Sequence, residues 1–421
     1  MEKIIFRSDL CIAYAELGDL LIHDGRPCDS EKSAAKIFNA DKTYFVIKCS
    51  SGSLKTALSV LVTPGDLILY DRNNHKSICI GGLIDAGATP IYLETSRNPF
   101  GYIGCILENC YNKSYIRSLI REVSLEKADL KRPFMTAVIQ LGTYDGTITN
   151  VKQVVEKIGK LCDYIIFDSA WVGYEQFIPM MKECSPMLLQ LIDKDPGILV
   201  IQSVHKQMAG FSQDSQIHKK DKHIKGQYRY CNHKRLNNAF MKHASTSPFY
   251  GIFVSLNVNA KMHECEACIR LWKDCVKIGI EARKLVLKNC HYIRPLVPIT
   301  IDGIKWEDSD TDKIYNNIRY WEADPSTNWN GFEGYGKNQY FIDTCKFQLT
   351  TPRLNSTTDI YEDFGISVNI LINYLRDNGI LADKCDLNTI LFLMTPAKTM
   401  AKMQDVVNKI IKFEWLIMIA L

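Results

Sequence analysis

The chain has 421 residues, of which 46% are hydrophobic, 10% aromatic and 23% charged; this excludes a disordered, collagen-like or coiled-coil polypeptide and leaves apolar material for more than one core. Fifty-one Lys and Arg against 47 Asp and Glu give a net charge of only +4, so binding to nucleic acid or an anionic membrane would need a local basic cluster. Fifteen cysteines, with no secretory leader ahead of them, read as free thiols in a reducing compartment, by default the cytoplasm.

Glu2, Asp9, Glu16 and Asp19 interrupt the apolar residues of the first twenty positions, unlike a signal or transit peptide, and residues 1–40 read as a linker with helical character. Residues 40–210 alternate short β-branched and apolar runs (KTYFVIK, GDLILYDR, TPIYLE, FMTAVIQL, CDYIIFDSA and GILVIQSV) with helical stretches. That is the pattern of βα units in a mostly parallel sheet covered on both faces. The basic stretch HKKDKHIKG, residues 218–226, contains Asp221 and no aromatic residue and reads as a solvated loop, not a nucleic-acid site. From about residue 260 the pattern becomes one long helix, AKMHECEACIRLWKDCVKIGIEARKLVLKNC, able to bridge two domains. His263, Cys265, Cys268 and Cys275 lie within it; a single CxxC on a helical pattern, with no second pair, predicts no metal site. Residues 293–421 mix strand-like IRPLVPITI, CKFQLTT and ILFLMTP with two helical segments, a smaller α/β unit. The terminal WLIMIAL is too short to span a bilayer. The expected division is a large α/β domain over 1–290 and a smaller one over 291–421.

In parallel sheets ligands sit beyond the C-terminal ends of strands. There IQSVHKQMAGFSQ places Lys206 between Ser203, His205 and Gly210, Ser212. An isolated lysine in a polar loop is ordinarily a surface residue. One held half-buried at a strand end loses its proton readily, as a Schiff-base lysine must. YIIFDSAWVGYE puts Asp168 at another strand end, where a carboxylate either caps the next helix or pairs with the protonated ring nitrogen of pyridoxal phosphate. KCSSGSLKTA sets Ser50, Ser51 and Ser53 between a strand and a helix, an N-cap or a phosphate cradle. His75, beyond GDLILYDR, is either a solvated loop residue or a ring that stacks on a flat cofactor.

These segments in this order, with LGTYDGT, HASTSPFY and FGISVNILINYLRDNGI, resemble the bacterial pyridoxal-phosphate-dependent ornithine/lysine/arginine decarboxylases over nearly the whole chain. GIEARKLVLKNCHYIRP, GFEGYGKNQYF and KCDLNTILFLMTPA look most like the ornithine branch. The resemblance implies an aspartate-aminotransferase-like (fold-type I) fold, a cytoplasmic homodimer with its active site at the interface, and decarboxylation of L-ornithine to putrescine and CO2. It implies Lys206 as the Schiff-base lysine, Asp168 at the pyridinium nitrogen, His75 on one ring face and Ala170 on the other. Ser50, Ser51, Ser203 and His205 would serve the phosphate, and Ser247 the phosphate of a neighbouring subunit. Trp171 would wall the substrate pocket, and Glu362 or Asp363 would take the substrate's distal ammonium.

The chain also departs from the family. It looks truncated at both ends, the smaller domain incomplete, and FEWLIMIAL no longer resembles the family. Cys49 stands where the family has Gly before the phosphate cradle; if that position needs φ > 0, the cost is about 1 kcal/mol. Cys265, Cys268, Arg353 and Ser367 replace small or special residues, and Ile78, Cys79 and Ile80 a polar stretch. The alternatives are therefore lysine or arginine decarboxylation, or an inactive remnant that keeps the fold and its dimer surface.

Overall fold

The structure is a computed structural model that describes residues 14–327, 329–354 and 361–420 together with Arg7 and Asp9, the stretches 352–354 and 361–363 as strand backbone alone. All six strands expected in residues 40–210 form: β1 (Lys42–Val46), β2 (Leu67–Asp71), β3 (Thr89–Leu93), β4 (Phe134–Gln140), β5 (Cys162–Asp168) and β6 (Gly197–Gln202). With β7 (Ser215–Lys220) they make a seven-stranded sheet in the order β1-β7-β6-β5-β4-β2-β3. Neighbours from β6 to β3 pair in parallel, whereas β7 is antiparallel to both β6 and β1. Six strands therefore share one direction, and their C-terminal ends face one crevice. β2 and β6 are buried at every position, as two covered faces require.

Strand β7 corrects the sequence reading of residues 218–226 as a solvated loop. His218 and Lys219 are buried, because the strand lies between β1 and β6. His218 bonds to Thr43 Oγ1 (2.8 Å) and Gln202 Oε1 (3.1 Å), while the Lys219 ammonium reaches Asp221 Oδ1 at 2.5 Å. Partners on neighbouring chain segments, invisible in local composition, make a basic run tolerable inside.

The expected long helix is two, α2 (Tyr250–Met262) and α3 (Glu266–Asn289). Cys265 is extended, with φ −135° and ψ 176°, and the His263 ring is committed to the Asn259 carbonyl (2.8 Å) and the Trp272 indole N–H (3.1 Å). α3 leads to a four-stranded antiparallel sheet in the order β8 (Arg294–Pro295), β9 (Lys346–Thr350), β11 (Thr389–Leu393), β10 (Lys384–Cys385). The buried Arg283 of α3 donates to the carbonyls of Gly279 and of Lys346 in β9 and lies against the Trp321 and Phe347 rings, binding helix to sheet. Two further helices, α4 (Val368–Asp377) and α5 (Met400–Ala420), cover this part. The two sheets meet through the turn after β4. Gly146 there has φ +97°, and a Cβ would stand 2.0 Å from Gln348 Nε2, so only glycine lets the turn lie against β9.

Candidate active site

Lys206 sits in a single helical turn, Val204–Gln207, directly after β6. Its Nζ is 3.7 Å from the centroid of the Trp171 ring, a cation–π distance. Tyr144 stacks on that ring at 4.2 Å with planes 23° apart, so the indole is held between tyrosine and lysine. Burial lowers the Lys206 pKa to about 8, Asp168 opposing and Lys346 assisting, which leaves a sizeable fraction of free amine near neutral pH.

Asp168 ends β5 and is buried. Its Oδ1 accepts the Ala170 N–H at 3.0 Å, a tie that also fixes the buried Ala170 at the crevice floor. Burial raises the carboxyl's pKa, while the Ala170 N–H, Lys206 and His75 pull it down. His75 caps the short helix Lys76–Cys79, its Nδ1 accepting from the Ser77 N–H at 3.2 Å, so the neutral ring carries its proton on Nε2. Desolvation lowers its pKa, Asp168 acting in the opposite sense. Lysine, carboxylate and imidazole from three strand ends thus share one field.

The third corner is α1 (Cys49–Leu61), which opens with Cys49, Ser50 and Ser51 and has no side-chain cap. Its leading amides and the two half-buried serines form an anion-seeking terminus. Cys49 does adopt φ +58°, and Gln213, whose carbonyl accepts the Cys49 N–H at 2.7 Å, has φ +92°. Beside them the Ser203 hydroxyl is buried with no hydrogen-bond partner. His205 Nδ1 lies 2.7 Å from the Asp214 carbonyl and 3.5 Å from that residue's Oδ1. An orphaned buried hydroxyl, a helix N-terminus and a lysine with depressed pKa are what a phosphorylated aldehyde cofactor needs; the residues present fit it.

The structure therefore brings together Lys206, Asp168, His75, Ala170, Trp171, Ser203, His205, Ser50 and Ser51. Ser247 is exposed, its N–H donating to Ser245 Oγ at 3.3 Å, and is not part of this crevice in a single chain. Glu362 and Asp363 contribute backbone to the strand Tyr361–Gly365, but their side chains lie outside the described residues. Sequence reading assigned no role to Tyr144, Lys346 or Asp383. The Tyr144 hydroxyl donates to the Asp383 carbonyl at 3.1 Å, and the Asp383 carboxylate acts electrostatically on Lys206, Lys346 and Tyr144. Only the position of Tyr144 just beyond β4 signalled any of these; the other two come from the second sheet.

Fold and crevice define an α/β protein with a partly buried lysine of lowered pKa at the strand ends of a mostly parallel sheet. The family described as Orn/Lys/Arg decarboxylase, major domain, matches residues 2–402, and the chain belongs to that family. It is 64% identical over 410 residues to an ornithine decarboxylase of Haemophilus influenzae, covering 97% of this chain and 57% of that protein. It is 60% identical to the inducible ornithine decarboxylase of Escherichia coli, covering 99% and 57%. Its identity to a lysine decarboxylase of Pseudomonas aeruginosa is 32%, covering 97% and 53%. The chain thus spans little more than half the length of the curated relatives it matches. Among solved structures, lysine decarboxylase A of Pseudomonas aeruginosa superposes with a TM-score of 0.86 at 31% identity, covering 97% of this chain and 54% of that one. A structure of SPT with PLP, at 10% identity and a TM-score of 0.54 over 92% of this chain and 76% of that one, shares the fold alone.

Proposed function

We propose that the chain is the cofactor-binding portion of a pyridoxal-phosphate-dependent ornithine decarboxylase, converting L-ornithine to putrescine and CO2. The observation that carries this reading is the convergence of Lys206, Asp168 and His75 from three strand ends. Identity of 56–64% to ornithine decarboxylases, against 32% or less to lysine and arginine decarboxylases, supports ornithine over the other two substrates.

Pyridoxal phosphate, when bound, supplies the electron sink that draws electrons from the breaking bond between Cα and the carboxylate. Lys206 would hold the cofactor's aldehyde through Nζ; burial, which lowers its pKa to about 8, keeps that amine available for the task. Asp168 keeps a proton on the ring nitrogen, the charge on which the sink depends. His75 and Ala170 would flank the cofactor's ring. Ser50, Ser51, Ser203 and His205 receive the phosphate at the start of α1. Trp171, braced by Tyr144, walls the substrate side and excludes water. Asp383, whose field reaches Lys206, takes the distal ammonium, a role for which Glu362 and Asp363 are the other acidic candidates.

The protein acts as a homodimer in which Ser247 completes the neighbouring subunit's phosphate site. In support, Ser247 is exposed just ahead of α2, and α2 leaves Val254, Val258 and Met262 exposed by 52%, 48% and 41% at helical spacing, an apolar stripe of the kind that marks an interface. Residues 1–290 form the cofactor-binding domain and 291–421 the smaller one, a division supported by the seven-stranded sheet lying within the first range and the four-stranded sheet within the second, while Thr147–Thr149 of the first pairs with Tyr340–Ile342 of the second. A cytoplasmic location agrees with the free thiol state of every cysteine among the described residues; no described helix is long and apolar enough to cross a membrane. The strained Cys49 at the cradle favours one second reading, an inactive protein that keeps the fold.

The test is the visible absorption spectrum after incubation with pyridoxal phosphate, with Lys206→Ala as control. A lysine-dependent band that shifts on adding L-ornithine, followed by CO2 release, is expected. A folded protein that forms no such band would leave the inactive reading.

A further inference from the structure

Lys346 opens β9, is fully buried and contacts neither substrate nor cofactor in the reading above. Its Nζ donates to the Thr143 carbonyl at 2.7 Å and lies 3.7 Å from Asp343 Oδ2. Asp343 is itself held by the Tyr174 hydroxyl (2.7 Å) and the Cys345 N–H (3.0 Å). A lysine taken wholly out of water keeps its charge only with such partners. Lys346 Nζ is also 5.7 Å from the centroid of the Trp171 ring, the same ring that Lys206 Nζ approaches to 3.7 Å. Two lysines from different sheets therefore converge on one indole. They are not equivalent: Lys346 has an acceptor and a counter-ion, whereas Lys206 Nζ makes no hydrogen bond or ion pair among the described residues.

We propose that Lys346 is a positioning residue for Lys206: a buried cation braced by Thr143 and Asp343 that acts across the Trp171 ring to hold the reactive lysine as a free amine. This rests on the reading of Lys206 as the Schiff-base lysine. Two like charges cannot share a partly desolvated site cheaply, and the less well partnered one gives up its proton. The other groups acting on Lys206 work in the opposite sense. Asp168 at the end of β5, Asp383 ahead of β10 and Cys49 at the start of α1 all favour the ammonium, and His75, across the crevice, feels the Lys206 charge in turn. Burial lowers the Lys346 pKa, and Asp343, Asp145 and Asp383 oppose that shift, Asp343 through an ion pair of a kind that Lys206 lacks. The second sheet thereby reaches the chemistry of the first without touching substrate.

Competitive labelling with acetic anhydride over a pH series, read by mass spectrometry of the Lys206 peptide in protein free of cofactor, tests this directly. Half-labelling is expected near pH 8 in the unsubstituted protein, about one unit higher in Lys346→Gln and Lys346→Met, and unmoved in Lys346→Arg, which retains the charge. An unchanged half-labelling pH in a folded neutral variant would overturn the proposal. So would unfolding of both neutral variants by far-ultraviolet circular dichroism, which would make Lys346 a structural brace. A cofactor band in the unsubstituted protein without the labelling shift removes the coupling alone. The shift without the band removes the Schiff-base reading and retains the coupling.

Discussion

Cys49 and Gln213 are both left-handed, and the Cys49 N–H donates to the Gln213 carbonyl at the start of α1. Strain of this kind is tolerated where the surrounding structure over-determines it. The Cys49 thiol is half-buried, its pKa raised by desolvation and by Asp214 against the pull of Lys206, which disfavours the thiolate. Glycine at this position removes a cost of about 1 kcal/mol, part of which returns as added freedom of the unfolded chain. Cys49→Gly is therefore expected to raise the urea midpoint slightly and to bind pyridoxal phosphate more tightly, measured by titrating the absorption band. Unchanged affinity would mean that the backbone already approaches the phosphate unhindered. The sequence marked this residue because it stands directly before Ser50 and Ser51 where the family it resembles has Gly; Lys206, Asp168 and His75 were legible for another reason, each standing at or just beyond the end of an apolar strand.

At the scale of elements, β7 hides its importance in polar composition, and α5 hides its own in a single carboxylate within an apolar run. His218 joins three adjacent strands through Thr43 and Gln202, and burial pushes its pKa down from 6.5 to about 3. Between those values the unfolded chain binds a proton that the folded protein refuses. Stability should therefore fall by about 1.4 kcal/mol per pH unit from this residue as pH drops below 6.5, levelling near 3. Urea unfolding over that range should show the slope reduced by about one proton in His218→Gln; an identical slope would show that other groups dominate. In α5, Glu414 is buried and its carboxylate accepts the N–H groups of His291, Tyr292 and Ile293, fastening the helix to the exit of α3. Glu414→Ala strands these donors and should cost about 2–4 kcal/mol, read from the denaturation midpoint. A loss below about 1 kcal/mol would mean that water replaces the carboxylate. FEWLIMIAL, which lies beyond the residues that the family model matches, thus carries the residue that anchors its helix.

For the whole molecule, the exposed stripe of α2 and the outward-facing Ser247 make one prediction. Val258→Asp places a charge on the apolar face and should shift the sedimenting species from dimer to monomer. Cofactor affinity should fall with it, because Ser247 would no longer reach a second subunit's phosphate. A monomer that binds pyridoxal phosphate undiminished would confine the site to one chain. The strand runs, the α/β class and the order of the chemical segments were all written in the sequence, since apolar periodicity and strand-end chemistry are local properties that neighbouring residues express together. The course of β7 through the sheet, the break between α2 and α3, and the meeting of Tyr144, Lys346 and Asp383 with Lys206 were decided only by the tertiary structure. The course of β7 and the meeting of Lys346 and Asp383 with Lys206 depend on partners more than a hundred residues away, a distance that no spacing along the chain encodes, and Tyr144 joins them through Asp383; the break at Cys265 lies inside a pattern that reads as continuous helix.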